Sequence, residues 1–245
     1  MKNKEDIFKR LYESFTKEGG RFHIMERRVS LEQQLEYFKF SSQVRQNMGS
    51  VKENDDEIHI KNLKNSQSTN DEKKVSLSIL ALSKQIKIYR FLENFVQETD
   101  GTELSDWAYM ALTENRIALE FEFSGERQIY ISSGLGGKGH KLRFHVVLFA
   151  SQSDSFLDYQ RKIIRDELAF ALPKRDIDIE RFTIEDQYVE IVILMPITTF
   201  IRKIIRDVIA ECNQYGNFLL DTFIISNEKE LGKKEIENVL EERKL

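Results

Sequence analysis

The 245-residue sequence predicts an α+β fold, in which a helical N-terminal region precedes a βαββαβ domain with one extra strand before it. Three observations support this prediction. Apolar residues recur at helical spacing as far as residue 124, and after Gly125 their period changes to that of strands. The last third of the chain then contains a duplicated helix-strand unit.

The duplication is visible in one six-residue word. Residues 161–166 read RKIIRD and residues 202–207 read the same, which sets an offset of 202 − 161 = 41. Two pairs of apolar residues further along keep this offset: Phe182 with Phe223, and Ile184 with Ile225. Duplication of one helix-strand unit is the simplest explanation.

A shared irregularity strengthens this interpretation. In the strand after each helix the alternation of buried residues shifts at the same point, between Ile179 and Phe182 and between Leu220 and Phe223. Such a shift predicts a β-bulge at equivalent places in the two copies.

The order of elements defines the domain at 125–245. An apolar, central strand is predicted over 142–150, preceded by a strand over 128–133. The elements that follow are a helix over 156–172, strands over 177–185 and 188–195, a helix over 198–214, a strand over 218–226 and a last helix over 233–244. Ile236, Val239 and Leu240 are predicted to form the contact stripe of this last helix. The β-α-β-β-α-β part of this order resembles the ferredoxin-like split βαβ fold, which implies two right-handed crossovers.

Residues 1–49 predict two helices. The first covers 3–17. The second begins at Ser30, which forms a capping box with Gln33 three residues later. Leu31, Leu35 and Phe38 supply the apolar stripe of this second helix.

Residues 50–74 are dominated by polar and charged side chains. Only Val51, Ile58, Ile60 and Leu63 could be buried there, so burial would not offset the entropy lost on ordering. The composition therefore predicts a mobile polar linker.

Helical spacing returns in residues 75–124. The stretch 82–121 has the pattern of a helix, a polar turn near Thr99–Thr102 and a second helix with a Trp107-Ala108-x-x-Ala111-Leu112 face. This pattern resembles a HEAT-type helical repeat. The resemblance implies a helical surface that docks a partner, and a helical layer packed on the following sheet is the alternative.

Composition and charge exclude several classes of protein. The net charge of −4 argues against a surface that is basic throughout, and the single cysteine, Cys212, excludes an intramolecular disulfide. The pattern around Cys212 predicts a buried side chain. Neither a secretory signal nor a membrane span is predicted, which favours the cytoplasm.

One glycine-rich loop has a composition suited to binding. Its candidate residues for contact with an anion or a partner are Ser133, Gly134, Gly136, Gly137, Lys138, Gly139, His140 and Lys141. The spacing Gly134-x-Gly136-x-x-Gly139 matches a dinucleotide fingerprint, but a strand and not a helix follows the loop, so that function is rejected. A hairpin loop between two strands is the structural alternative.

Other chemistry is not predicted. The four histidines form no metal-ligand pair, no serine or cysteine lies in a nucleophile elbow, and no cofactor is expected. Basic side chains on the two RKIIRD helices are candidates for contact with RNA phosphates, although a solvated face is the simpler explanation. They are Arg161, Lys162, Arg165, Arg202, Lys203 and Arg206.

The leading hypothesis is a cytoplasmic, non-enzymatic protein-interaction or regulatory protein with a protein partner. The first alternative is an RNA- or ribosome-associated protein that uses the glycine-rich loop and the basic helix faces. The second alternative is an enzyme or sensor for a phosphorylated small molecule, with the loop as its cradle and His140 as an acid-base group.

Overall fold

The computed structural model describes residues 15, 17, 20–47, 56–126, 128–151 and 155–242. The helices are α1 (Leu31–Asn47), α2 (Asp56–Lys64), α3 (Asn70–Leu80), α4 (Ile86–Glu98), α5 (Ser105–Ser124), α6 (Asp158–Ala171), α7 (Ile201–Asn213) and α8 (Lys233–Glu242). The strands are β1 (Arg21–Ile24), β2 (Gln128–Ile131), β3 (Gly137–Lys138), β4 (Lys141–Ala150), β5 (Asp178–Ile184), β6 (Tyr188–Pro196) and β7 (Leu219–Ser226). The protein is therefore α+β, as predicted.

The described residues fall into two compact units. The helical unit comprises those within 14–22 and 29–130, and the sheet unit comprises those within 23–28 and 131–245. A separate two-stranded pairing joins β1 to β2.

Helices α1 to α5 form the core of the helical unit. Helix α5 packs against α1, α3 and α4, and α2 packs against α3. Trp107 of α5 lies at the centre of an aromatic cluster, with ring centroids 5.3 Å from Tyr37 and 5.2 Å from Phe40. Buried aliphatic residues complete this core: Leu77, Leu80, Ile88, Leu92, Ala108 and Ala111. The α4–α5 pair is the helix pair that the HEAT-type resemblance implies, and the resemblance itself stays a prediction.

The polar segment 50–74 differs from the linker that its composition predicts. Where the structure describes it, it contains α2 and the first turn of α3. Thr69 and Glu72 form a capping box at the start of α3, which stabilises a helix without burial. Leu63 is buried, and the carboxylate of the buried residue Asp56 accepts hydrogen bonds from Ser83 and Gln85. Local capping and a few long-range contacts therefore order a segment that buries little apolar surface.

The predicted helix over 3–17 lies outside the described residues except for Phe15 and Lys17, which are helical. The helix predicted from Ser30 is confirmed. The backbone N–H of Gln33 donates to the Ser30 hydroxyl oxygen at 3.2 Å, and that hydroxyl donates to the Gln33 side chain at 3.0 Å.

The sheet unit has the predicted β-α-β-β-α-β order. Strands β7, β4, β6 and β5 lie side by side in that spatial order, all antiparallel, and β3 pairs with the start of β4. Strand β4 is central, as its apolar run predicts, because Val146 pairs with Ile191 of β6 on one side and Ile225 of β7 on the other.

The predicted irregularities are confirmed in both copies. The register of β5 against β6 shifts between Ile179 and Arg181. The register of β7 against β4 shifts between Leu219 and Phe223. The two shifts lie at equivalent positions of the 41-residue repeat, which supports a duplicated unit.

The two faces of the sheet have different covers. Helices α6 and α7 pack on one face, where Ile164, Leu168, Ile205 and Val208 join the apolar side chains of the strands. Helix α8 contributes Ile236, Val239 and Leu240 to the opposite face, against Val147 and Phe149 of β4. This confirms the contact stripe predicted for the last helix and leaves the start of β4 to a set of charged residues.

Candidate functional site

Most of the glycine-rich loop is buried within the sheet unit and is not exposed at its surface. Residues 133–137 are buried, whereas residues 138–140 are exposed. A Cβ at Gly134 would overlap the carbonyl oxygen of Glu228, and one at Gly136, where φ is +65°, would overlap that of Glu26. Both glycines are required by the close approach of other chain segments.

The loop is also not the hairpin connection between β2 and β4. Strand β2 pairs with β1, and β4 forms its hairpin with β3, which lies inside the loop. The sequence signal was wrong on this point because the partner of β2, strand β1, is more than 100 residues away along the chain.

Four amides of the loop donate hydrogen bonds within the protein. Three of them donate to backbone carbonyl oxygens: Leu135 N–H to that of Asn227, Gly136 N–H to that of Ser133 and Gly137 N–H to that of Glu26. Gly139 N–H donates to the Glu26 carboxylate at 2.9 Å. An anion that bound to these amides would have to displace the protein oxygens that already accept their hydrogen bonds. Anion or partner binding by the loop therefore stays a prediction.

The cations of the loop do not converge on one point. Lys141 Nζ lies 2.7 Å from Asp176 and 2.8 Å from Asp178, and hydrogen bonds to these carboxylates raise the pKa of Lys141. Lys138 and His140 are exposed. Residues 133–137 are therefore buried as part of the packing of the sheet unit, whereas Lys138 and His140 lie at the surface.

A charged cluster lies on the α8 face of the sheet. Arg143 makes a two-pronged ion pair with Glu180 and donates to the carbonyl oxygen of Leu135 at 2.7 Å. These contacts join β4, β5 and the glycine-rich loop. Arg143 lowers the pKa of Glu180 by hydrogen bonding to its carboxylate.

His145 continues this cluster at the centre of the sheet. The side chain is fully buried, Leu231 N–H donates to its Nδ1 at 3.1 Å, and its Nε2 lies 3.2 Å from Glu190. Because Nδ1 accepts, the proton of the neutral ring is on Nε2, the nitrogen nearer to Glu190. Burial lowers the pKa of His145, although Glu190 opposes that shift.

Two carboxylates connect the cluster to further chain segments. Arg181 Nη2 contacts Glu190 at 2.7 Å and Glu230 at 2.5 Å, and Glu230 also pairs with Arg28 at 2.7 Å. These residues form no motif in the sequence. The alternating polar positions 141, 143 and 145 of β4 were the available signal, since they share one face of a strand. The partners of these positions come from distant segments, and the buried histidine has no surface that a substrate could reach.

The first basic helix face is partly engaged within the protein. Arg161 donates to the carbonyl oxygens of Phe156 at 3.0 Å and Ile184 at 2.9 Å, and it lies 3.4 Å from Asp186. The Arg165 guanidinium lies 5.9 Å from the ring centroid of Phe182. Lys162 is exposed. Arg161 therefore joins α6 to the end of β5.

The second basic helix face is open. Arg202, Lys203 and Arg206 of α7 are exposed, and none of them has an ion-pair partner among the described residues. With Lys162 they form a set of four solvated cations on the α6–α7 layer. We call this set the basic patch.

Helix α1 of the helical unit buries polar residues and exposes apolar ones. Gln34 and Tyr37 are buried: the Gln34 amide donates to Val29 at 2.8 Å, and the Tyr37 hydroxyl donates to Glu114 at 2.7 Å. The apolar stripe lies on the exposed side, where Leu31 is 37%, Leu35 70% and Phe38 48% exposed. We call these three residues the α1 stripe. Its exposure is the feature of α1 that the sequence does not show.

The remaining candidate chemistry is limited. Cys212 is buried, as predicted, and burial raises the pKa of its thiol to about 12, so the reactive thiolate is absent near neutral pH. Across the described ranges, no group of three His, Cys, Asp or Glu side chains is placed to hold a metal ion. None of the described helices is both long and apolar enough to span a membrane.

Comparisons with known proteins provide little further information. No family model and no curated protein matches the chain. Among solved structures, a REP-associated tyrosine transposase bound to a REP hairpin is similar over 40% of this chain, with 11% identity and a TM-score of 0.32. This chain spans 61% of that protein's length. A Deinococcus radiodurans protein, described provisionally as a transposase, is similar over 44% of this chain and 92% of its own, with 10% identity and a TM-score of 0.35. At such scores the likeness carries no argument about function.

Proposed function

We propose that the chain is a cytoplasmic, non-enzymatic protein-interaction protein whose α1 stripe docks onto an amphipathic helix of a protein partner. The observation that carries this proposal is the exposure of Leu31, Leu35 and Phe38 along one side of α1. Their spacing of four and three residues matches the anchors of helix-to-helix recognition. Adjacent exposed apolar side chains of this kind are typical of interaction surfaces.

The inward face of α1 supports this proposal. Tyr37, Ser41 and Arg45 all contact Glu114 of α5, with Arg45 Nη2 at 2.5 Å from its carboxylate. These polar contacts between α1 and α5 hold the stripe outward. A partner would therefore meet a surface that is already organised, which lowers the entropic cost of binding.

Site-specific photocrosslinking in cells tests the proposal. A photoreactive residue replaces Leu35 in one variant and Gln43, an exposed polar residue of the same helix, in the matched control. We expect adducts from position 35 whose cross-linked peptides carry apolar residues at helical spacing, and few from position 43. Equal labelling at the two positions, or no protein adduct at position 35, would contradict the proposal.

RNA binding by the basic patch is a second candidate function. It is favoured by one observation: four exposed cations of α6 and α7 lack ion-pair partners within the described parts of the chain. Lysine and arginine side chains that are free of internal carboxylates are available to phosphates.

Binding of a fluorescent single-stranded RNA, measured by anisotropy at several salt concentrations, tests this candidate. We expect the affinity to fall steeply with salt, and the Lys203→Glu/Arg206→Glu variant to lower the log-log salt slope by about one for each lost contact. Lys87→Glu, an exposed change in the helical unit, is the control. Equal binding by the two variants would exclude the basic patch.

A further inference from the structure

Two charged residues beside the α1 stripe restrict what its partner can be. Glu32 and Lys39 are exposed, and neither has an ion-pair partner within the described part of the chain. Seven residues separate them, so they lie about 10.5 Å apart along the helix and within about 20° of each other around it. They therefore flank the same side of the stripe with opposite charges.

Other charges on α1 are paired within the helical unit. Glu36 lies 3.2 Å from Lys74, and Arg45 lies 2.5 Å from Glu114. Among the described residues, the two charges of α1 that have no ion-pair partner are Glu32 and Lys39, which lie next to the stripe. A partner that covers the stripe would need a cation near Glu32 and an anion near Lys39.

We propose that this partner is a second copy of the chain, with the two α1 helices packed antiparallel through their stripes. This inference rests on the proposed function, because it identifies the partner of the same surface. Antiparallel packing reverses the order of charges, so Glu32 of each copy meets Lys39 of the other. Leu35 of each copy then lies beside Leu35 of the other, near the two-fold axis.

The charges also determine the direction of packing. In a parallel two-fold pair, Glu32 and Lys39 of one copy would lie on the opposite side of the interface from those of the other copy, so the opposite charges could not meet. Only the antiparallel pair brings Glu32 of each copy next to Lys39 of the other. It is also isologous, the arrangement that closes as a dimer and does not extend into a filament.

The size of the stripe sets the expected strength of association. Three apolar side chains per copy bury less than the roughly 800 Å² per partner that is typical of stable complexes. The dimer is therefore expected to be in rapid exchange with the monomer and to depend on concentration. The exposed charge pairs add orientation more than affinity.

Sedimentation velocity of the full chain, from low micromolar to several hundred micromolar concentration, is the first test. We expect a concentration-dependent shift from monomer to dimer that Leu35→Asp abolishes and Gln43→Asp leaves unchanged. The two variants add the same charge to exposed positions of α1, and circular dichroism verifies that both are folded. A wild-type chain that stays monomeric throughout, or a dimer that persists in Leu35→Asp, would overturn the inference.

Charge reversal tests the direction of packing. Glu32→Lys or Lys39→Glu alone is expected to raise the dimer Kd roughly tenfold, because each reversal makes two attractive pairs repulsive. The double variant Glu32→Lys/Lys39→Glu should return to within about twofold of the wild-type Kd. A double variant as weak as the single ones would overturn the antiparallel arrangement.

The photocrosslinking experiment separates this inference from the proposed function. Adducts from position 35 that map to α1 of another copy support both. Adducts that map to a different protein, together with a monomeric chain, overturn self-association and support the proposed function. Absence of any adduct at position 35 contradicts both.

Discussion

The two copies of the duplicated unit share a sequence and differ in how they use it. Ile164 of α6 and Ile205 of α7 are both fully buried against the sheet. Their neighbouring arginines diverge: Arg161 bonds to two backbone carbonyls and lies near Asp186, whereas Arg202 is exposed. The apolar residues of RKIIRD therefore form the core in both copies. Its first arginine binds within the protein in one copy and is exposed to solvent in the other.

The reason for the divergence lies outside the repeated word. The residue equivalent to Asp186 in the second copy is Asn227, since 186 + 41 = 227, so the carboxylate near Arg161 has no counterpart. The strands differ similarly. Arg181 of β5 is part of the charged cluster, whereas its equivalent in β7 is Thr222. Duplication thus preserved the core and not the ion pairs.

The largest expected effect tests the shared part of the comparison. Ile164→Ala and Ile205→Ala should each lower the free energy of unfolding by about 2–5 kcal/mol, because each leaves a cavity under a helix. The two losses should agree within about 1 kcal/mol if the copies are equivalent in packing. Urea denaturation measures both, and a loss confined to one copy would break the equivalence.

The next effect tests the divergent part. Arg161→Met should destabilise the protein by about 1–3 kcal/mol, because carbonyl oxygens of Phe156 and Ile184 lose a charged donor. Arg202→Met should change the free energy of unfolding by no more than about 0.5 kcal/mol, as is usual for exposed positions. Equal effects of the two substitutions in the same denaturation assay would mean that the arginines have equivalent roles.

The pH dependence of stability tests whether His145 of the charged cluster is neutral in the folded protein. The pKa of His145 is lowered in the folded state, so between that pKa and about 6.5 the unfolded chain binds more protons. The free energy of unfolding should therefore fall as the pH decreases through this window. His145→Gln should remove that part of the pH dependence, measured by denaturation from pH 7.5 to 5 in steps of about half a unit. An unchanged slope in the variant would assign the effect to other groups.

The smallest effect compares equivalent carboxylates of the two strands. The pKa of Glu180 is lowered by Arg143, so its contribution is present above the unfolded pKa of about 4.5 and is lost as the pH falls through the folded pKa. Glu180→Gln should lower the free energy of unfolding by about 1 kcal/mol or less at neutral pH. It should also make that free energy depend less on pH in the acid range. Asp221→Asn, its equivalent 41 residues later, is an exposed change and should alter the free energy of unfolding at neutral pH by no more than about 0.5 kcal/mol. A larger loss in Asp221→Asn than in Glu180→Gln would remove this distinction.

Features with a local signal could be predicted from the sequence. The order of elements in the sheet unit, the central position of β4, the two register shifts and the contact stripe of α8 all follow from the spacing of apolar residues along short segments. The start of α1 follows equally from Ser30 and its neighbours.

Features that depend on distant partners could not be predicted in the same way. The glycine-rich loop resembled a ligand cradle because nothing in residues 133–141 reveals that Glu26 and Glu228 pack against it. Helix α2 and the first turn of α3 were missed because a composition poor in apolar residues hides caps and single buried contacts.

The sequence by itself determined the α+β order and the duplicated core, because apolar periodicity is a local property that each segment carries alone. Only the tertiary structure decided the direction of the α1 stripe and the use of each arginine. Tyr37 is buried because Glu114 and Trp107 lie beside it, 70 or more residues away in the chain. Once Tyr37 and Gln34 face inward, the helical period places Leu31, Leu35 and Phe38 on the outside.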